Sequence, residues 1–138
     1  MSQDNLRIVQ RLNEIMDREG VGRVFDTAIA AGLFDDDLEW IEDPTGPDSG
    51  TYTGLSAVRS LVADRLEAFH IDQQTERLVD AGDDVVALVR WRAQGQTSGA
   101  EAEVRLAMVN SLRAGKIVRV RFFLDPAEAL KAVGLEDG

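Results

Sequence analysis

The side chains of this sequence that could do chemistry together lie in or near one stretch, WIEDPTGPDSGTYTG, residues 40–54. They are the carboxylates of Glu42 and Asp43 and the phenol of Tyr52, with the imidazole of His70 further on. Asp43 ends an apolar run, stands directly before Pro44 and opens a loop rich in Gly, Pro and Ser. A carboxylate at a pocket rim is partly desolvated, which raises its basicity toward that needed to take a proton from an enolisable carbon. The same residue before proline is also an ordinary turn initiator. Both readings stand at this point. Tyr52 could donate to a ligand oxygen or pack under its own loop. His70 follows a helical stretch, where an imidazole interacts with the helix dipole. Glu42 should alternate away from Asp43 and meet solvent.

Composition removes several classes of function. The net charge of −10 repels phosphate backbones, so no nucleic-acid partner is expected. A single histidine and no cysteine exclude multi-histidine and thiolate metal sites. A purely carboxylate metal site stays possible but has no recognisable loop behind it, and phosphate-binding glycine loops are absent, so no metal and no cofactor are expected. The longest apolar run, Val85-Val86-Ala87-Leu88-Val89, falls far short of the roughly 20 residues of a membrane span. The start, MSQDNLRIVQ, lacks the pattern of a signal peptide, so no membrane contact and a cytoplasmic location are expected.

The elements that must position these residues follow from periodicity. Leu6, Val9, Leu12, Ile15 and Met16 recur at helical spacing up to Gly20. A second short helix with Val24, Phe25, Ala28 and Ile29 on one side is expected to end near Gly32. A strand over 38–42 and a loop over 43–53 follow. Thr53 is the expected cap of a helix over 55–69. After His70 the period becomes two, giving strands near 72–80, 84–94, 100–112 and 116–124 with hairpin turns between them. Asp125-Pro126-Ala127-Glu128 starts a last helix. The order ααβαββββα describes a single α+β domain over 1–138, its helices on one face of a mainly antiparallel sheet.

Alternation gives that sheet two faces. Val85, Ala87, Val89 and Trp91 share one with Ala102, Val104, Leu106 and Met108, and with Val118, Val120, Phe122 and Leu124. This face is expected beneath the helices, as an apolar pocket. The other face mixes Arg and Glu with Ile117, Val86, Leu88, Val109 and Phe123. Cross-strand ion pairs in solvent explain the charges. The four last-named apolar residues favour a homodimer interface.

Three stretches in order carry a resemblance: DDLEWIEDPTGPDSGTYTG, LVDAGDDVVALVRWRAQG and AGKIVRVRFFLDPAEALKAVGL. Together they resemble the nuclear transport factor 2-like superfamily and, within it, the SnoaL-like polyketide cyclase family, over nearly the whole chain. The resemblance implies a cystatin-like cone, a curved sheet wrapped over helices around a deep apolar pocket, and a homodimer through the open sheet face. Glu42-Asp43-Pro44-Thr45-Gly46 is also similar to the segment of ketosteroid isomerase that holds its general base, which implies that role for Asp43. The positions matching that enzyme's oxyanion donors are Leu12 and Met108, which donate nothing, so its activity is not expected. The water-activating set of limonene epoxide hydrolase falls on Val89, Trp91 and Phe122, so that activity is not expected either.

The resulting candidate site has Asp43 as its catalytic residue and Leu12, Tyr52, Val89, Trp91, Met108 and Phe122 around a small hydrophobic, polyketide- or steroid-like molecule. Two functions remain open. One is cofactor-free proton transfer, an isomerisation or cyclisation using Asp43. The other is a non-catalytic ligand-binding or dimerisation domain. This superfamily hosts both, so its fold does not choose.

Overall fold

A computed structural model describes residues 2–21, 26–28, 31–46 and 49–135. Helix α1, Ser2–Glu19, buries Val9, Leu12, Ile15 and Met16, the stripe set by their spacing. It ends at Gly20, whose N–H still bonds to the Met16 carbonyl at 2.9 Å and whose φ of 84° then turns the chain out of the helix. Asp26–Ala28 is helical, and Ala28 is fully buried. The expected partners Val24, Phe25 and Ile29 lie outside the described residues.

Strand β1, Phe34–Ile41, starts four residues before the expected position. The acidic run Asp35-Asp36-Asp37 hid it. Its pairing is irregular between Phe34 and Glu39, and Asp35 Oδ1 accepts from the Asp37 N–H at 2.9 Å. A bulge of this kind accommodates side chains that a regular ladder would not. Strand β2, Thr51–Thr53, was expected as loop; it is three residues long and pairs Tyr52 with Trp40. Thr53 is therefore in a strand and does not cap helix α2, Leu55–Ala68. Gly54, at φ 97°, occupies that position without a side-chain cap.

The long strands β3 (Phe69–Ala81), β4 (Asp84–Gly95), β5 (Glu101–Arg113) and β6 (Lys116–Phe123) form the expected meander. The sheet order is β2-β1-β6-β5-β4-β3. Its β1–β6 pair is parallel and the other pairs are antiparallel. This is the expected α+β architecture, a curved, unclosed sheet over helices.

One inner core joins α1 and α2 to Leu38, Val85, Ala87, Val89, Leu106, Met108 and Val120. Two expectations about faces are corrected. Ile117 is fully buried on this inner side, opposite Leu112, because the β5–β6 register shifts between Ser111 and Leu112. A bulge reverses alternation on one side of itself. Helix α3, Pro126–Ala132, does not join the other helices. It crosses to the outer face, where Ala129 packs with Val86, Ala107 and Val109, all four fully buried. Asp125 accepts from the Ala127 N–H at 3.0 Å, and Pro126 occupies the first turn, so the start is capped as expected.

Val86 and Val109 are consequently not open apolar surface. The outer face divides in two. One part lies under α3. The other carries cross-strand pairs such as Arg90–Glu103 at 3.4 Å and Arg105–Glu76 at 3.3 Å. No described helix is long and apolar enough to cross a membrane.

Candidate functional site

Between the sheet and helices α1 and α2 lies a cavity of about 310 Å³. Its floor is β5, where Val104, Leu106, Met108 and Asn110 point the same way at every second residue. The six steps of strand from Val104 to Asn110 give this floor a length of about 20 Å. Val104, at the outer end, is 39% exposed, and Asn110, at the inner end, is 2% exposed. Phe69 and Leu124 are exposed like Val104 and also line the cavity, so the mouth has an apolar rim.

Aromatic rings form one wall. Phe122 lies between the two tryptophans, 4.7 Å from Trp40 and 6.1 Å from Trp91 by ring centroids. Trp91 is held from behind. Its Nε1–H donates to Gln73 Oε1 at 2.8 Å, and Gln73 Nε2 donates to Asn13 Oδ1 of α1 at 3.0 Å. Asn13 and Gln73 are buried, yet the chain spaces them 60 residues apart. Sequence reasoning passed over both because a polar residue on a helix or strand reads as solvated until its partner is known.

Asp43 is at the mouth, but its surroundings oppose the expected rise in basicity. Oδ2 accepts from the Leu124 backbone N–H at 2.7 Å. Oδ1 accepts from the Thr45 hydroxyl at 2.7 Å and the Thr45 N–H at 2.8 Å. These donors, the Leu124 N–H foremost, hold the carboxyl below its ordinary pKa, against a smaller opposing effect of burial. The bonds to Thr45, with Gly46 N–H to the Asp43 carbonyl at 3.0 Å, build the turn that an Asp-Pro sequence favours.

The other expected site residues separate into two groups. Leu12, Trp91, Met108 and Phe122 line the cavity. Val89 and Tyr52 are not among its lining residues. Val89 is 1% exposed in the core. Tyr52 packs over Gly50, where a Cβ would meet its phenol oxygen at 3.2 Å. His70 is on β3 rather than at a helix end, exposed, with Nε2 3.2 Å from Asp72 Oδ1. Glu42 is corrected: it faces the cavity and binds Arg65 of α2 at 2.8 Å. Alternation misplaced it because β1 stops at Ile41. Asn110 was missed as well, although its position two residues beyond Met108 on the pocket face was a usable signal.

No group of three or more metal-ligating side chains occurs among the described residues. A mixed sheet curved over two helices, with an apolar cavity opening at the C-terminal ends of β1 and β6, defines a nuclear transport factor 2-like cone. The family model of the SnoaL-like domain matches residues 9–120, and the chain belongs to that family. Solved structures agree on the fold. An NTF2-like protein from Burkholderia thailandensis is 28% identical, with TM-score 0.73, covering 92% of this chain and 95% of that one. Another, from Burkholderia xenovorans, is 21% identical with TM-score 0.71 over 96% and 98% of the two chains. TerC, co-crystallised with polyporic acid, is 14% identical with TM-score 0.72 over 95% and 98%. No curated protein matches the sequence.

Proposed function

We propose that this protein binds a small, flat, hydrophobic molecule in the cavity and that binding, rather than proton transfer, is its activity. The observation that carries this reading is the apolar rim. Phe69, Val104 and Leu124 are the exposed large hydrophobic residues among the described ones, and all three line the cavity. Apolar surface left in water at the entrance of an apolar cavity is stabilised when a hydrophobic ligand covers it. The volume is about twice the 150 Å³ that accepts benzene in an engineered cavity, which suits two fused or linked rings. A protein of this fold, TerC, is co-crystallised with polyporic acid, which supports a small-molecule ligand.

Proton transfer by Asp43 is the second reading, favoured by its place at the mouth. Its three donors count against it, since they stabilise the anion and weaken the base. Leu12 and Met108 line the cavity and offer nothing to a developing enolate oxygen. We also propose a homodimer through the outer sheet face. Half-buried Leu88 and Phe123, rather than sealed Val86 and Val109, would be its apolar contacts.

Both tryptophans of the chain line the cavity, so its occupation should change their fluorescence. The test is a titration with flat bicyclic aromatics, repeated by thermal unfolding on Met108→Trp, which fills the floor. A ligand at 100 times its dissociation constant should add about 2.7 kcal/mol to the wild type and little to the variant. Equal stabilisation of both proteins would place the ligand elsewhere.

A further inference from the structure

Asn110 is 2% exposed and lines the inner end of the cavity. Its Nδ2 donates to the carbonyls of Val85 at 3.3 Å and Met108 at 3.4 Å. Those two acceptors fix the amide, because a flipped side chain would set Oδ1 against two carbonyl oxygens. With Nδ2 turned to the backbone, Oδ1 is left over. No described residue donates to it, and it is not among the polar atoms sealed inside the protein, so it opens onto the cavity. A hydrophobic ligand that fills the cavity covers this acceptor, which is costly unless the ligand itself supplies a donor to it.

We infer that Asn110 is a specificity-determining residue and that the ligand carries a hydroxyl, phenolic or enolic, at its leading end. The inference rests on the hydrophobic-ligand reading and sharpens it. The same geometry disfavours an enolate, whose negative oxygen would meet an acceptor where an oxyanion needs donors. The ligand class is therefore a bicyclic or two-ring aromatic with one O–H directed inward past Met108, its apolar body against Trp91 and Phe122.

The experiment compares 2-naphthol with 2-methoxynaphthalene, which is similar in shape and cannot donate. Wild-type protein should bind the naphthol about tenfold more tightly, the worth of one buried hydrogen bond. Asn110→Leu should lose that preference while still binding the ether. Should this variant fail to fold, the wild-type side-chain amide resonances of Asn110 provide the second measurement: they should move with the naphthol and not with the ether. Equal wild-type affinities, with uptake still blocked by Met108→Trp, would overturn the role of Asn110 and leave hydrophobic binding standing. Binding of neither compound would overturn both.

Discussion

The backbone N–H of Leu124 donates to Asp43 Oδ2 at 2.7 Å, tying the chain just after β6 to the loop after β1. Leu124 also helps form the apolar rim, so the same contact sets one side of the entrance. Asp43→Ala removes this bond and both bonds to Thr45. A partly exposed, charge-assisted set of this kind should cost about 1–2 kcal/mol, read by urea unfolding at neutral pH. The pH dependence has a definite sign. The folded pKa lies below the ordinary 3.8, so the contribution is fully present above about that pH and is lost as pH falls through the folded value. The stability gap between wild type and Asp43→Ala should be constant from pH 5 to 7 and narrow in more acidic solution. A gap that widened on acidification would mean a raised pKa and would restore Asp43 as a candidate base.

The fold was legible because periodicity survives without tertiary knowledge. The meander, the first helix and the capped start of α3 are local patterns. The failures have local causes too. Asp35, Asp36 and Asp37 hid half of β1 because a bulge tolerates what alternation forbids. Ile117 was assigned to the wrong face because the shift near Leu112 leaves no mark in the sequence. At the site, Met108 and Phe122 followed from parity, whereas Glu42 lay one residue past the strand that defined parity. Asn110 needed the directions of its two backbone bonds before its free oxygen could be recognised.

The polar link behind the aromatic wall should be structurally important. Gln73 is 6% exposed and joins Trp91 to Asn13. Gln73→Leu keeps the bulk but leaves the Trp91 N–H and Asn13 Oδ1 short of this partner. The expected loss is about 1–3 kcal/mol in urea unfolding. Trp91 should also relax, shifting the fluorescence of the folded protein. Full stability with unchanged fluorescence would show that the wall is held by apolar packing alone.

The β5–β6 turn gives a prediction in the stabilising direction. Ala114 and Gly115 both have positive φ, 54° and 80°, the geometry of a two-residue type I′ hairpin. Glycine adopts it without strain, and alanine does not. Asn tolerates the first position, so Ala114→Asn should add about 0.5–1 kcal/mol and raise the melting temperature. Ala114 is exposed and is not among the residues lining the cavity, so ligand affinity should stay unchanged. A lower melting temperature would refute the turn geometry.

The outer face separates two kinds of apolar contact that the sequence alone could not distinguish. Leu130 of α3 packs on the cluster of Val86, Ala107 and Val109, which is sealed within one chain. Leu130→Asp should therefore cost about 2 kcal/mol or more whatever the oligomeric state, through lost burial and a carboxylate set against apolar side chains. Leu88 sits at the margin of the same cluster and is half-buried. If the proposed homodimer uses the uncovered part of this face, Leu88→Glu should convert a dimer to a folded monomer in sedimentation, with circular dichroism unchanged. A persistent Leu88→Glu dimer would move the interface off this face. A wild-type monomer would leave α3 as the cover of the apolar outer surface, with the charged pairs Arg90–Glu103 and Arg105–Glu76 in solvent beside it.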